Sequence, residues 1–142
     1  PRGGRSLGIV FMPSTDDIAR FGRRVQDLLQ EIGAADLVEI LDVYLIDTRS
    51  RIELLPHLLS ARDFRHLARC AHSIQGGSSI FGLDDLAQAA LEVELAAGLP
   101  DNPELFQLIG AVRDRYADLE PELQATHATL VASLPGSEPS EA

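Results

Sequence analysis

From about residue 14 onward, apolar residues recur every three or four positions, the period of helices that share one core. Ile18, Phe21, Val25, Leu28, Leu29 and Ile32 make the first stripe. Ser14 or Thr15 can cap it, Asp17 lies in its first turn, and Gly33 stops it. A second helix runs from about Ala35 to Leu59 on Leu37, Ile40, Leu41, Tyr44, Leu45, Ile52, Leu55 and Leu59, and Pro56 should distort its last turn. Ser60, with Asp63 three residues later, opens a third helix over about Ala61 to Ile80. Asp84 starts a fourth, on Leu86, Ala90, Val93 and Ala97, and Gly98 ends it. Asn102 and Pro103 read as the cap and first residue of a fifth, which carries Leu105, Leu108, Ile109, Val112, Tyr116, Leu119, Leu123 and Leu130. Pro121 should kink or interrupt it.

No stretch sustains the period of two that a sheet needs. The expected fold is all-α: an antiparallel four-helix bundle with an additional N-terminal helix. Residues 1–13 read as a linker or an expression remnant, in which Ile9, Val10 and Phe11 could form a short extended piece. Residues 14–134 form the bundle, and the polar tail 135–142 is expected to be disordered.

Composition narrows the function. Aromatics are only 5% of the chain, so the core must be built from Leu, Ile, Val and Ala. The net charge of −10 makes nucleic acid an unsuitable partner. Cys70 is the only cysteine, which excludes a disulfide within the chain and fits a reducing cytoplasm. No apolar run approaches the roughly 20 residues of a membrane helix, so no membrane insertion is expected.

The third helix carries two stripes. Phe64, Leu67, Ala71, Ile74, Ser78 and Phe81 make the core face. Arg62, Arg65, Arg69, His72, Gly76 and Ser79 follow the same three-and-four spacing on a face mostly turned to solvent. Gly76 and Gly77 each cost a helix interior about 1 kcal/mol relative to alanine. Gly76, four residues after His72, leaves bare backbone beside the imidazole. Taken alone, the pair better suits a helix end or the close approach of a neighbouring helix.

Other groups point nowhere in particular. His66 and Cys70 have a spacing that suits a metal, but two ligands do not make a site. His57 and His127 are scattered. Ser78 and Ser79 have no base and acid partners, Cys70 reads as a small buried residue, and Glu92 and Glu94 read as ordinary surface residues of the fourth helix.

The run Ala71-His72-Ser73-Ile74-Gln75-Gly76-Gly77-Ser78-Ser79-Ile80-Phe81-Gly82-Leu83 resembles the signature of histidine phosphotransfer (HPt) domains. Leu28 to Gly33, Ala61 to Phe64 and Leu91-Glu92 extend the likeness over roughly residues 25–131. Gln75 stands where the family commonly has lysine. The resemblance implies a phosphorelay intermediate, not an independent enzyme: His72 accepts a phosphoryl group from a receiver-domain aspartate and passes it to another. It implies no cofactor of the chain's own, because the receiver supplies Mg²⁺, and partners that include response-regulator receivers and a hybrid sensor histidine kinase. Arg69, Gln75, Gly76 and Ser79 are the expected supports of phosphoryl or receiver approach, and Arg65 and Ala68 belong to the expected docking surface. An exposed active histidine suits a monomer. The alternative is a docking module that binds a receiver or kinase without carrying phosphate.

Overall fold

A computed structural model of the chain describes residues 13–99 and 101–136. The proposed extended piece at Ile9 to Phe11 lies outside these residues. So does the tail, except for 135–136, which form a turn. Five helices and no strand occur among the described residues: α1 (Pro13–Ile32), α2 (Ala34–Ser60), α3 (Phe64–Ile80), α4 (Asp84–Ala97) and α5 (Leu105–Ala132). Helices α2 to α5 form the antiparallel bundle, each against the next and α5 back against α2, while α1 lies across α4, α5 and α2.

The apolar stripes converge on one core. Leu37, Leu41, Leu55, Leu67, Ala71, Leu83, Leu86, Ala90, Val93, Val112, Leu119 and Leu123 are fully enclosed. Ile32 and Ile40, both expected on core faces, are exposed at 40% and 38%. Each is a flank of its stripe, and the enclosed face is narrower than the period alone implies.

Turn chemistry moves two helix starts. Helix α2 ends in a Schellman-type turn: the Arg62 and Asp63 amides donate to Leu59 O and Leu58 O, with Arg62 at φ +56°. The cap of α3 is therefore Asp63, which accepts from the His66 amide at 3.2 Å, and the helix starts at Phe64 rather than Ala61. Asn102 does act as a turn former, accepting from the Glu104 amide at 2.9 Å, but α5 begins only at Leu105. Helices α2 and α5 run through Pro56 and Pro121 without interruption. A proline ring removes a single hydrogen bond, and burial on both sides outweighs that loss.

Helix α4 has no side-chain cap of its own. Asp17 supplies one from α1. Its buried carboxylate accepts from the Asp85 and Leu86 amides at 2.9 and 3.0 Å, and it pairs with Arg20 at 2.7 Å. Sequence reading put Asp17 in the first turn of its own helix; its chemistry is spent on another. Arg20 also pairs with Asp84 and Asp85, and Arg24 donates to Ile80 O at 2.9 Å, so α1 also engages the C-terminal end of α3. Gly82 makes this fit possible. It takes φ +73° in the Schellman turn after α3, and a Cβ there would stand 3.1 Å from Arg20 O.

Tyr44 joins α2 to α3. Its hydroxyl and that of Ser78 are 2.8 Å apart in the core, and burial raises the phenol to about 12. A Cβ on Gly77 would lie 3.2 Å from the same ring, whereas a Cβ on Gly76 would meet nothing within 4 Å. Of the two readings of the glycine pair, close helix approach holds at Gly77 and open surface at Gly76.

Two stability outcomes follow, both readable by urea unfolding. Asp17→Ala strands two helix-start amides and the Arg20 guanidinium and should cost about 2–4 kcal/mol. Gly76→Ala should stabilise the protein by about 0.5–1 kcal/mol. Gly77→Ala, with the same gain in helix propensity, should lower stability by about 1 kcal/mol because the pinned Tyr44 ring cannot move aside.

Candidate functional site

Helix α3 is held by one face and presents the other. Leu67, Cys70, Ala71, Ile74 and Ser78 are buried, which fixes the helix about its own axis. That setting turns His72 outward, with 67% of its side chain exposed. Four residues on, Gly76 is exposed and adds no side chain above the backbone.

The imidazole is not loose. Its Nδ1 lies 3.1 Å from Oε1 of Glu94 on α4. A carboxylate only accepts, so Nδ1 carries the proton of this bond and Nε2 keeps its lone pair in the neutral ring. The contact corrects the reading of Glu94 as an ordinary surface residue. Its own chain neighbour Val93 is fully enclosed and anchors α4 at this level. No spacing rule within one helix reveals a pair 22 positions apart on two helices.

Glu94, His72, Ser73, Arg69 and Ala68 together line an open depression of about 380 Å³. Three of the expected site residues, Ala68, Arg69 and His72, thus meet in one place. Arg69 lies three residues before His72 and is exposed. Arg65 is exposed one turn further back and does not line the depression. Gln75, half-buried, and Gly76 lie beyond its other end. Ser79 is exposed, but its hydroxyl donates to Gln75 O within α3 at 3.0 Å and so is engaged by its own helix. Two large apolar side chains on these helices are exposed, Ile80 at 51% and Leu95 at 64%.

The remaining histidines lack this setting. His66 Nδ1 pairs with the cap residue Asp63 at 3.1 Å, an arrangement that, with the His66 amide, holds the Asp63 carboxyl below its ordinary range. His127 is half-buried, with Nε2 3.5 Å from Asp42. His57 lies in the last turn of α2. Cys70 is buried, its thiol pushed up by burial and donating to Arg51 O at 3.4 Å, which suits an inert core thiol.

The geometry is an exposed imidazole on a helix fixed by its buried face, with one ring nitrogen held by a carboxylate. The Hpt domain family model matches residues 39–130. The phosphorelay protein LuxU of Vibrio harveyi is 24% identical over 102 residues, covering 66% of this chain and 89% of that protein. LuxU of Vibrio vulnificus strain YJ016 is 25% identical over 93 residues, covering 66% and 81%. Among solved structures, the crystal structure of histidine-containing phosphotransfer protein B from Pseudomonas aeruginosa PAO1 superposes with a TM-score of 0.69 at 25% identity, covering 75% of this chain and 92% of that one.

Proposed function

The chain belongs to the Hpt domain family and is a histidine phosphotransfer protein of phosphorelays, and from that premise we propose that His72 is its phosphoacceptor. The observation that carries this reading is the exposed imidazole whose Nδ1 is held by Glu94, four residues before the bare backbone of Gly76.

In the proposed reaction the Nε2 lone pair attacks the phosphorus of a receiver aspartyl phosphate. The N–P bond forms, the P–O bond to the aspartate breaks, and the carboxylate leaves. Such a step depends on in-line placement at about 3–3.5 Å and on neutralising the phosphoryl oxygens. Gly76 supports the first, because no side chain stands between the ring and the approaching receiver. Arg69 supports the second. It is the cation in the depression, and it offsets the neutral Gln75 that occupies the family's usual lysine position. The Mg²⁺ belongs to the receiver.

Receiver domains are the partners. The docking surface takes in Ala68, beside the histidine, and Arg65, together with the exposed apolar Ile80 and Leu95 of the same two helices. The wider assignments are a monomer acting in the cytoplasm downstream of a hybrid sensor histidine kinase. No helix among the described residues is long and apolar enough to cross a membrane. Gln75 favours a second reading, a docking module that carries no phosphate.

A panel of phosphorylated receiver domains separates the two. Wild type should take up an acid-labile, base-stable label, and His72→Gln should take up none. Gly76→Gln should transfer at least about tenfold more slowly with its fold intact, because a long side chain fills the approach path, and Arg69→Ala should slow transfer by about tenfold, the worth of one charge-assisted hydrogen bond. Binding of wild type to a receiver without any label would favour the docking module.

A further inference from the structure

We propose that the cleft between α2 and α5 is a second binding site, built for a small aliphatic cation: an amine or guanidine carried on a short alkyl stem. The inference goes beyond phosphotransfer and does not depend on His72. Helix α5 packs against α2 and α4 and lies diagonally across the bundle from α3. The cleft shares no residue with the depression around the imidazole.

The cleft holds about 420 Å³, the size of a small-molecule site. A glycine keeps it open. Gly110 lies inside α5, where glycine weakens a helix relative to alanine, and no positive φ calls for it there. A Cβ on Gly110 would meet nothing within 4 Å, so the close approach of a neighbour does not explain it either. Gly110 lines the cleft, and a side chain there would take up space that the cleft now holds.

The floor carries an unsatisfied group. Tyr116 lines the cleft yet is only 4% exposed, and its hydroxyl is buried without a hydrogen-bond partner. Burial and the charge of Glu120 push this phenol above its ordinary range, so it stays a neutral hydroxyl. Tyr44, the other buried tyrosine, has its hydroxyl paired with Ser78. An unpaired buried hydroxyl is costly, and a ligand in the cleft supplies the missing partner.

Charge selects the ligand. Glu120 is already engaged: its Oε2 accepts from Nε and Nη2 of Arg49 at 2.9 and 2.6 Å, and those two charges offset each other. The carboxylates of Glu53 and Asp114 then stand against the single guanidinium of Arg113, all of them exposed. The balance favours a cation and opposes an anion. A metal ion does not fit, because no group of His, Cys, Asp and Glu among the described residues could hold one. The cation is therefore organic. Its N–H donates to the Tyr116 oxygen, its charge lies by Glu53 and Asp114, and its stem rests on Ile52 and Ala117.

Agmatine, with an amine and a guanidine on one alkyl stem, is the probe, titrated into the full chain and followed by NMR. The Gly110 amide and Tyr116 ring signals should move saturably. Neutral butylurea and anionic glutarate should leave them in place. Gly110→Leu, which fills the cleft, should abolish the response, and Tyr116→Phe should weaken binding about tenfold. In urea unfolding without ligand, Tyr116→Phe should be at least as stable as wild type, because the hydroxyl it removes is unpaired. Shifts that do not saturate by about 10 mM agmatine, or that persist in Gly110→Leu, would overturn the proposal and leave the cleft to water. Butylurea binding as well as agmatine would overturn the choice of a cation. A destabilised Tyr116→Phe would also count against the site, since the hydroxyl would then already have its partner.

Discussion

Tyr44 reaches from α2 to the buried hydroxyl of Ser78, and that 2.8 Å hydrogen bond sets α3 at a fixed rotation against its neighbour. Both groups are inside the core, where an unpaired hydroxyl is costly, so α3 cannot roll without losing the bond. The small Gly77 lets the Tyr44 ring lie close enough to make it. Once Ser78 points inward, His72 must point outward, since six residues of helix carry it well round toward the opposite side. The buried half of the helix thus decides that the imidazole faces outward, where a partner can reach it.

The exposed half works by a division of labour among neighbouring elements. Helix α3 contributes the proposed phosphoacceptor His72, a cation at Arg69 and bare backbone at Gly76. Helix α4 contributes Glu94, which orients the ring. Helix α1 contributes nothing at the site but holds its supports. Asp17 closes the start of α4, Arg24 engages the last carbonyl of α3, that of Ile80, and Gly82 lets the turn between them sit against α1. The placement of Glu94 opposite His72 depends on this short turn, because its length sets the register of the two helices.

Much of this was legible along the chain, and what was not has common causes. The helical stripes and the two faces of α3, with His72 and Gly76 on the outer one, follow from a 3.6-residue period acting within single helices, while the resemblance of residues 71–83 singled out His72. Glu94 was passed over because its partner lies on another helix, and nothing within α4 distinguishes it from Glu92. Asp17 was read as part of its own first turn for the same reason: its partners are 68 and 69 residues away. The starts of α3 and α5 moved because Arg62 accepts a left-handed conformation and Asn102 folds an extra turn before its helix, and propensity rules place such turns poorly. Ile40 looked like core because a flanking apolar position keeps the period while losing the cover.

The account turns on which atom carries the phosphoryl group, and ¹⁵N–³¹P NMR of the phosphorylated protein, with the imidazole nitrogens labelled, reads it directly. A phosphorus coupling to Nε2 of His72, with Nδ1 still protonated, is the predicted result. Phosphorus on Nδ1, or on His57, His66 or His127, would contradict the account.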